Sequence, residues 1–318
     1  MNQYQPINSL EVPRFAEIKT FMRLPHVKTT AGIDYAIVGI PFDTGSTYRT
    51  GSRFGPSAIR DISSLIKPYN VPLDVKVTDW VTGVDYGDVP VVPGYIEETY
   101  RRTVETLDPL VQAGVTPICM GGDHSITLGE LRSLAKKHGP LALVHFDAHF
   151  DTMDTYFGFK YNHGTMFRRA LEEGLIDVEH SIQMGMRGTF YDASDLKGSE
   201  ELGYEVITAF EMKRIGMEEV LNRIHKRVGN KKAFLTFDID FVDPAYAPGT
   251  GTIEVGGFSS SESLDYIRGV KDLNFIGFDM VEVLPAFDPT QVTAFLGSNV
   301  LFEFISILAY QKKKKEGK

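Results

Sequence analysis

Apolar residues along this chain follow two rhythms. Short, nearly unbroken runs of strand length recur at YAIVGI (35–40), VTPICM (115–120), LALVHF (141–146), SIQMGM (181–186), AFLTF (233–237) and NFIGFDMVEV (274–283). Between them the apolar positions step by three or four. From 95 to 113, Ile96, Tyr100, Val104, Leu107 and Val111 lay one stripe along a helix. Similar spacing covers 126–137, 165–173, 217–228, 262–271 and 290–310. Strands without polar alternation, separated by helices, predict an α/β fold: a parallel sheet covered by helices on both faces. No composition break marks a second domain. The expected organisation is an N-terminal arm (1–33), one large domain (34–311) and a basic tail (312–318), solvated and frayed, that holds Lys312 to Lys315.

Composition narrows the function. The 318 residues are 42% hydrophobic and 24% charged, ordinary globular usage. A net charge of −9 argues against a nucleic-acid partner, whose phosphates need a basic surface. The most apolar late stretch, LGSNVLFEFISILAY, looks too short to span a bilayer and contains Glu303, so no membrane partner is expected. The N-terminus lacks the pattern of a signal peptide. Cys119 is the only cysteine, which excludes an intrachain disulfide and a thiolate cluster and fits a reducing, cytoplasmic location.

In open parallel sheets ligands bind beyond the C-terminal ends of the strands, and the residues there are rich in chemistry. After VTPICM comes Gly-Gly-Asp-His-Ser, with Asp123 and His124. After LALV comes His-Phe-Asp-Ala-His-Phe-Asp, with His145, Asp147, His149 and Asp151. After AFLTF comes Asp-Ile-Asp, with Asp238, Asp240 and then Asp243, and FIGFDMV is followed by Glu282. Residues two apart share a face of an extended chain, so Asp147, His149 and Asp151 point together, as do Asp238 and Asp240. Four carboxylates at contact distance cannot all stay ionised without cations. Two divalent ions balance Asp147, Asp151, Asp238 and Asp240, and His124 and His149 supply one nitrogen each. Oxygen-rich sites without thiolate suit Mn²⁺ and similar hard ions. A lone Asp-X-Asp is more often a turn or a cap; the conjunction of the three segments favours a two-metal centre. His145 falls out of phase and reads as packed behind the ligands, while Asp123 and Asp243 read as orienting or capping groups. His26, His138, His180 and His225 have no acidic company in sequence and read as surface residues.

The motifs Gly-Gly-Asp-His-Ser, His-Phe-Asp-Ala-His-Phe-Asp and Phe-Asp-Ile-Asp-Phe-Val-Asp-Pro resemble the signatures of the ureohydrolases, the family of arginase and agmatinase, from about Tyr35 to Tyr310. The resemblance implies the three-layer α/β/α arginase/deacetylase fold, two Mn²⁺ per subunit (Ni²⁺ in some relatives) and hydrolysis of a guanidino group to urea and an amine. It implies a homotrimer or homohexamer. It also matches six ligands (His124, Asp147, His149, Asp151, Asp238, Asp240), a catalytic histidine at His163 in Asn-His-Gly-Thr, and a guanidinium-binding glutamate at Glu282. The chemistry is coherent. A guanidinium carbon is a poor electrophile, and a cation pair acidifies water enough to attack it. Glu282 would hold the guanidinium in a bidentate pair and His163 would shuttle the proton to the leaving amine.

Competing classes fare worse. A binuclear phosphatase generally needs further late histidines, and only His225 follows position 180. A single-zinc deacetylase has no use for His124 and Asp151 as a second ligand set, and a non-catalytic metal-binding homologue has no use for an intact set with His163 and Glu282. Two segments are expected near the cleft: the Gly-rich loop Pro41 to Pro56, with Pro56 opening a helix, and the aromatic loop Thr152 to Asn162. Agmatine is the expected substrate, on the acidic net charge and with Asp154 as acceptor for its ammonium and Tyr156 and Asn162 beside it. Guanidinobutyrate, guanidinopropionate and free guanidine are the alternatives, with Lys160 as the cation a guanidino acid would need.

Overall fold

A computed structural model describes residues 4–317. Among these residues are ten strands and ten α-helices. The strands are β1 (Tyr35–Ile40), β2 (Tyr69–Asn70), β3 (Val75–Lys76), β4 (Gly83–Asp88), β5 (Thr116–Gly121), β6 (Ala142–Phe146), β7 (Ile182–Met184), β8 (Glu205–Ile207), β9 (Lys232–Asp238) and β10 (Asn274–Val281). The helices are α1 (Gly55–Ser63), α2 (Val77–Trp80), α3 (Ile96–Ala113), α4 (Thr127–His138), α5 (Met166–Glu172), α6 (Asp195–Glu201), α7 (Ala209–Ile215), α8 (Met217–Val228), α9 (Ser260–Gly269) and α10 (Val292–Lys315). Eight strands form one sheet in the order β4-β1-β5-β10-β9-β6-β7-β8, and every neighbouring pair is parallel. β2 and β3 make a separate two-residue antiparallel pair.

The sheet divides the core in two. One cluster joins Ile37, Ile118, Val144 and Leu235 to side chains of α1, α8, α9 and α10; the other joins Val38, Leu143 and Phe234 to α3, α4 and α5. The layers are α/β/α. Local chemistry sets the element ends: Pro56 lies in the first turn of α1, and Gly114, at φ 81°, closes α3 with its N–H on the carbonyls of Leu110 and Val111. A Ser259–Glu262 capping box opens α9.

The pattern in the sequence missed some elements. β4 reads Gly-Val-Asp-Tyr-Gly-Asp and only its first half is buried, so it carries no apolar run. β8 is three residues long, and α6 and α7 are short. The N-terminal arm docks: Phe21, Met22 and Leu24 join the core, and the Phe21 N–H donates to Asp85 at 2.9 Å. The basic tail is not frayed. α10 runs through Lys315, and Lys312, Lys313 and Lys314 reach Asp34, Asp74 and Asp272 at 2.7, 3.3 and 2.8 Å. At 24 residues α10 is also long and apolar enough to cross a membrane, contrary to the sequence expectation, yet 78% of its most apolar window is buried inside the protein. Its one mid-helix acid, Glu303, accepts from Arg268 (2.6 Å) and Asn70 (2.8 Å). It is a core helix.

The order of strands places the site. β5, β10, β9 and β6 are contiguous in the sheet, and these are the four strands whose C-terminal ends carry the acidic and histidine motifs. Gly122 lets the first of them approach its neighbour, since any Cβ there would overlap the Phe42 carbonyl.

Candidate metal centre and active site

His124 follows β5 and projects over the ends of β9 and β6. Its Nδ1 lies 3.0 Å from Asp147 Oδ2, 3.1 Å from Asp151 Oδ2 and 3.3 Å from Asp238 Oδ2. His149 Nδ1 lies 3.0 Å from Asp240 Oδ2 and 3.4 Å from Asp147 Oδ1. The structure therefore brings all six expected ligands together, in two groups that share Asp147. Backbone amides orient the carboxylates. The N–H of His149 donates to Asp147 Oδ1 (2.6 Å), that of Asp240 to Asp238 Oδ1 (2.8 Å) and that of Ala148 to Asp240 Oδ1 (2.9 Å). Asp151 holds a left-handed backbone (φ 54°), as does Glu282 (φ 64°). Non-glycine residues accept that strain mainly where surrounding structure imposes it, often at functional sites.

The donor set fits divalent cations. His124 Nδ1 and Asp240 Oδ2 are buried and accept or donate no hydrogen bond, although each faces the other ligand atoms. Without cations, burial and the nearby Asp147 push Asp238 and Asp240 above the ordinary carboxylate range. Burial opposes charge on His124 and His149, but the clustered carboxylates outweigh it and raise both imidazoles. Cations and protons therefore compete for these donors. His145 stands behind the ligands, fully buried between Gln183 Nε2 (2.9 Å from Nδ1) and Asp147 Oδ2 (2.8 Å from Nε2). Asp123 accepts from the N–H groups of Gly45 (2.7 Å) and Ser125 (3.0 Å), and Asp243 from those of Ala245, Gly256 and Gly257, so both shape loops. His180 does have acidic company, Asp177 at 2.9 Å, but far from this centre.

A cavity of about 430 Å³ opens over the ligands, with His149, Asp151, Asp238, His163 and Thr47 among its lining residues. His163 Nδ1 lies 3.0 Å from Glu282 Oε1, while its Nε2 accepts from the Thr47 N–H (3.0 Å) and lies 2.7 Å from Thr47 Oγ1. Glu282 sits beneath the cavity, 1% exposed. Its Oε1 also accepts from the His124 N–H (3.0 Å), while Oε2 is buried without a partner. A bidentate grip is therefore not preformed; Oε2 alone is uncommitted.

The expected far-end residues divide. Tyr156 lines the cavity. Asp154 lines it too, with Oδ1 engaged by Arg169 at 2.7 Å. Asn162 does not line it: its Oδ1 accepts from the Gly164 N–H (2.9 Å), shaping the turn that presents His163. Lys160 and Tyr161 border a second depression of about 350 Å³ instead. Sequence reasoning missed Thr47, Arg168, Arg187 and Glu254, all on the main cavity wall. Arg187 is consumed by the carbonyls of Gly185, Asp240, Phe241, Val242 and Glu254 and pins the loop after β9. Arg168 uses Nε on the Thr152 carbonyl (2.8 Å), and its terminal nitrogens have no partner among the described residues. Only spatial assembly distinguishes these residues; no spacing signal marks them.

Comparison with known proteins agrees with this geometry. Residues 33–306 match the arginase family. The guanidinobutyrase of Pseudomonas aeruginosa is 43% identical over 310 residues, covering 96% of this chain and 97% of its own. The mitochondrial agmatinase of Gallus gallus is 41% identical, covering 93% of this chain and 87% of its own. The structure of proclavaminate amidinohydrolase from Streptomyces clavuligerus superposes with a TM-score of 0.90 at 39% identity, covering 94% of this chain and 99% of that one. With the ligand motifs, the layered fold and the site geometry in agreement, this chain belongs to the arginase family of ureohydrolases.

Proposed function

We propose that the chain uses two Mn²⁺ ions to hydrolyse a small guanidino compound to urea and an amine. The observation that carries this is His124 Nδ1, buried without a hydrogen bond and faced by three carboxylate oxygens within 3.3 Å. His124, Asp147, Asp151 and Asp238 would hold one ion, and His149, Asp147 and Asp240 the other. When bound, such a pair would supply Lewis acidity that lowers the pKa of water towards neutrality.

The chain's own residues do the rest. Glu282 Oε2 offers a buried negative charge to the guanidinium, a charge-assisted contact that fixes its orientation. His163 has a partner in either protonation state. When neutral, it takes the Thr47 N–H on Nε2 and keeps its proton on Nδ1 towards Glu282; when charged, its Nε2–H turns to Thr47 Oγ1. A group so held can take up a proton and release it to the departing amine without losing its place.

The proposed substrate class is an ω-guanidino acid. Asp154, the acceptor that would favour agmatine, already takes Arg169 on Oδ1, whereas the two terminal nitrogens of Arg168 on the cavity wall have no hydrogen-bond partner among the described residues. A free guanidinium matches a carboxylate bidentately. The guanidinobutyrase likeness supports this reading. Agmatine is the second reading, favoured by Glu254, a wall carboxylate that accepts no side-chain hydrogen bond among the described residues. Urea release from agmatine, 4-guanidinobutyrate, 3-guanidinopropionate, arginine and guanidine tests it. A guanidino acid should exceed agmatine at least about tenfold in kcat/KM, ~1.4 kcal/mol. An agmatine preference would transfer the far-end role to Glu254, and no urea from any of them would end the ureohydrolase reading.

A further inference from the structure

The Gly-rich loop that follows β1 is tied down at both ends. Asp43, buried at its start, accepts from the N–H groups of Gly51 (2.7 Å) and Arg53 (3.3 Å) and from Arg53 Nε (2.6 Å). Asp123, just after β5, accepts from the Gly45 N–H at 2.7 Å, and a Cβ on Gly45 would crowd both Asp123 and Ser125. Glycine therefore lets the loop settle on the strand end that carries His124. Gly45 passes this anchoring on, since its carbonyl accepts the His163 N–H at 3.1 Å. Two residues further along, Thr47 reaches the imidazole itself.

Both ring nitrogens of His163 are thereby occupied. Nδ1 lies 3.0 Å from Glu282 Oε1, an oxygen that the His124 N–H also holds. Nε2 meets Thr47 twice, the N–H at 3.0 Å and Oγ1 at 2.7 Å. Direct transfer from Nε2 to a departing amine would have to break the shorter of these contacts and displace Thr47. The Thr47 hydroxyl is itself placed to make the transfer. Thr47 is half-buried and lines the same cavity as His163, Asp151 and Asp238, and its hydroxyl makes no hydrogen bond among the described residues other than that to His163. A hydroxyl donates one hydrogen while it accepts another. While Oγ1 accepts from Nε2–H, its own hydrogen is left for the cavity.

We propose that Thr47 is a catalytic relay, whose hydroxyl delivers the proton of His163 to the nitrogen that leaves the guanidino carbon. As the C–N bond breaks, its electron pair stays on nitrogen. That nitrogen takes the Thr47 Oγ1–H proton, and Oγ1 takes the proton from His163 Nε2. The threonine ends as it began. The imidazole ends neutral, with Nε2 accepting from the Thr47 N–H and Nδ1 still donating to Glu282. The attacking water loses two protons in becoming the urea oxygen: one recharges His163 and the other completes the product ammonium, so no further reactant is needed.

The relay rests on the ureohydrolase reading, and the test separates the two. Urea release by the Mn²⁺-loaded full chain is compared with that of Thr47→Val, Thr47→Ser, His163→Ala and the Thr47→Val/His163→Ala double variant. Two substrates are used: the alkylguanidine that the parent hydrolyses fastest, and its oxyguanidine analogue, with oxygen in place of the carbon bound to the leaving nitrogen. That nitrogen is much less basic and departs with little help from an acid. Thr47→Val keeps the backbone N–H and the side-chain shape. It should cut kcat on the alkylguanidine about 100-fold with KM within about threefold, and kcat on the oxyguanidine by less than about tenfold. Thr47→Ser should recover kcat to within about fivefold of the parent, and the double variant should fall within about threefold of His163→Ala. Manganese content and Tm should match the parent throughout. Near-parent kcat in Thr47→Val, equal losses on the two substrates, additive losses in the double variant, or loss of bound manganese in Thr47→Val would overturn the relay while an active parent keeps the ureohydrolase reading. A parent that releases urea from no alkylguanidine would overturn the relay, and one that releases none from any guanidino compound would overturn both.

Discussion

Replacing His163 by alanine should alter the pH dependence of stability in the cation-free protein by a calculable amount. Burial disfavours charge on this imidazole, but the bond to Glu282, with Asp151 and Asp123 nearby, more than offsets it and raises the pKa from 6.5 to about 9. The folded chain therefore holds this proton more tightly than the unfolded one. The resulting stabilisation is complete below the unfolded value of ~6.5 and disappears as pH rises through the folded value. At 1.36 kcal/mol per pH unit the difference is about 3 kcal/mol. Unfolding entropy near 2.1 cal/mol/K per residue gives roughly 0.7 kcal/mol/K for a chain of this length, so the effect is about 4–5 °C. Thermal unfolding of chelator-stripped parent and His163→Ala across this range should show the parent losing that much more Tm. Parallel curves would refute the coupling between His163 and Glu282. With cations restored, the same variant should keep its metal and lose about 10² or more in turnover; near-normal turnover would remove His163 from the reaction.

Asp238→Asn should lose bound metal rather than merely weaken substrate binding, as elemental analysis will show, because Asp238 faces His124 and no other group replaces its charge. Arg168→Gln should raise KM for a guanidino acid about tenfold or more while leaving hydrolysis of free guanidine nearly unchanged; equal effects on both would assign Arg168 a structural role. Glu303→Ala leaves Arg268 and Asn70 without their partner inside the core. It should cost about 3 kcal/mol, a Tm fall of roughly 4–5 °C by calorimetry.

The centre was legible in the sequence because its ligands sit at fixed offsets from strand ends. Asp147, His149 and Asp151 share one segment, and Asp238 and Asp240 another, so their convergence needed only the parallel sheet that the apolar runs predict. His163 and Glu282 came from the ureohydrolase resemblance, and the structure sets them 3.0 Å apart. The far end was not legible. Asp154 and Asn162 are polar and sit in the right loop, but Asp154 Oδ1 meets Arg169 and Asn162 Oδ1 holds the Gly164 turn, which spacing cannot reveal. Arg168 and Arg169 are adjacent in sequence, and only the fold shows that one is buried in ion pairs while the other lines the cavity wall, held through Nε by the Thr152 carbonyl. The basic tail misled for a related reason. Lys312 to Lys314 look like solvated charge until distant Asp34, Asp74 and Asp272 are brought beside them.

The most direct test of the central claim is metal stoichiometry and urea release on one preparation of the full chain. Protein stripped by chelator should release no urea from a guanidino acid, and titration with Mn²⁺ should restore activity with a break at two ions per chain. Full activity in protein that elemental analysis shows to hold no transition metal, or saturation at a single ion, would contradict a binuclear centre built on His124, His149 and the four clustered aspartates.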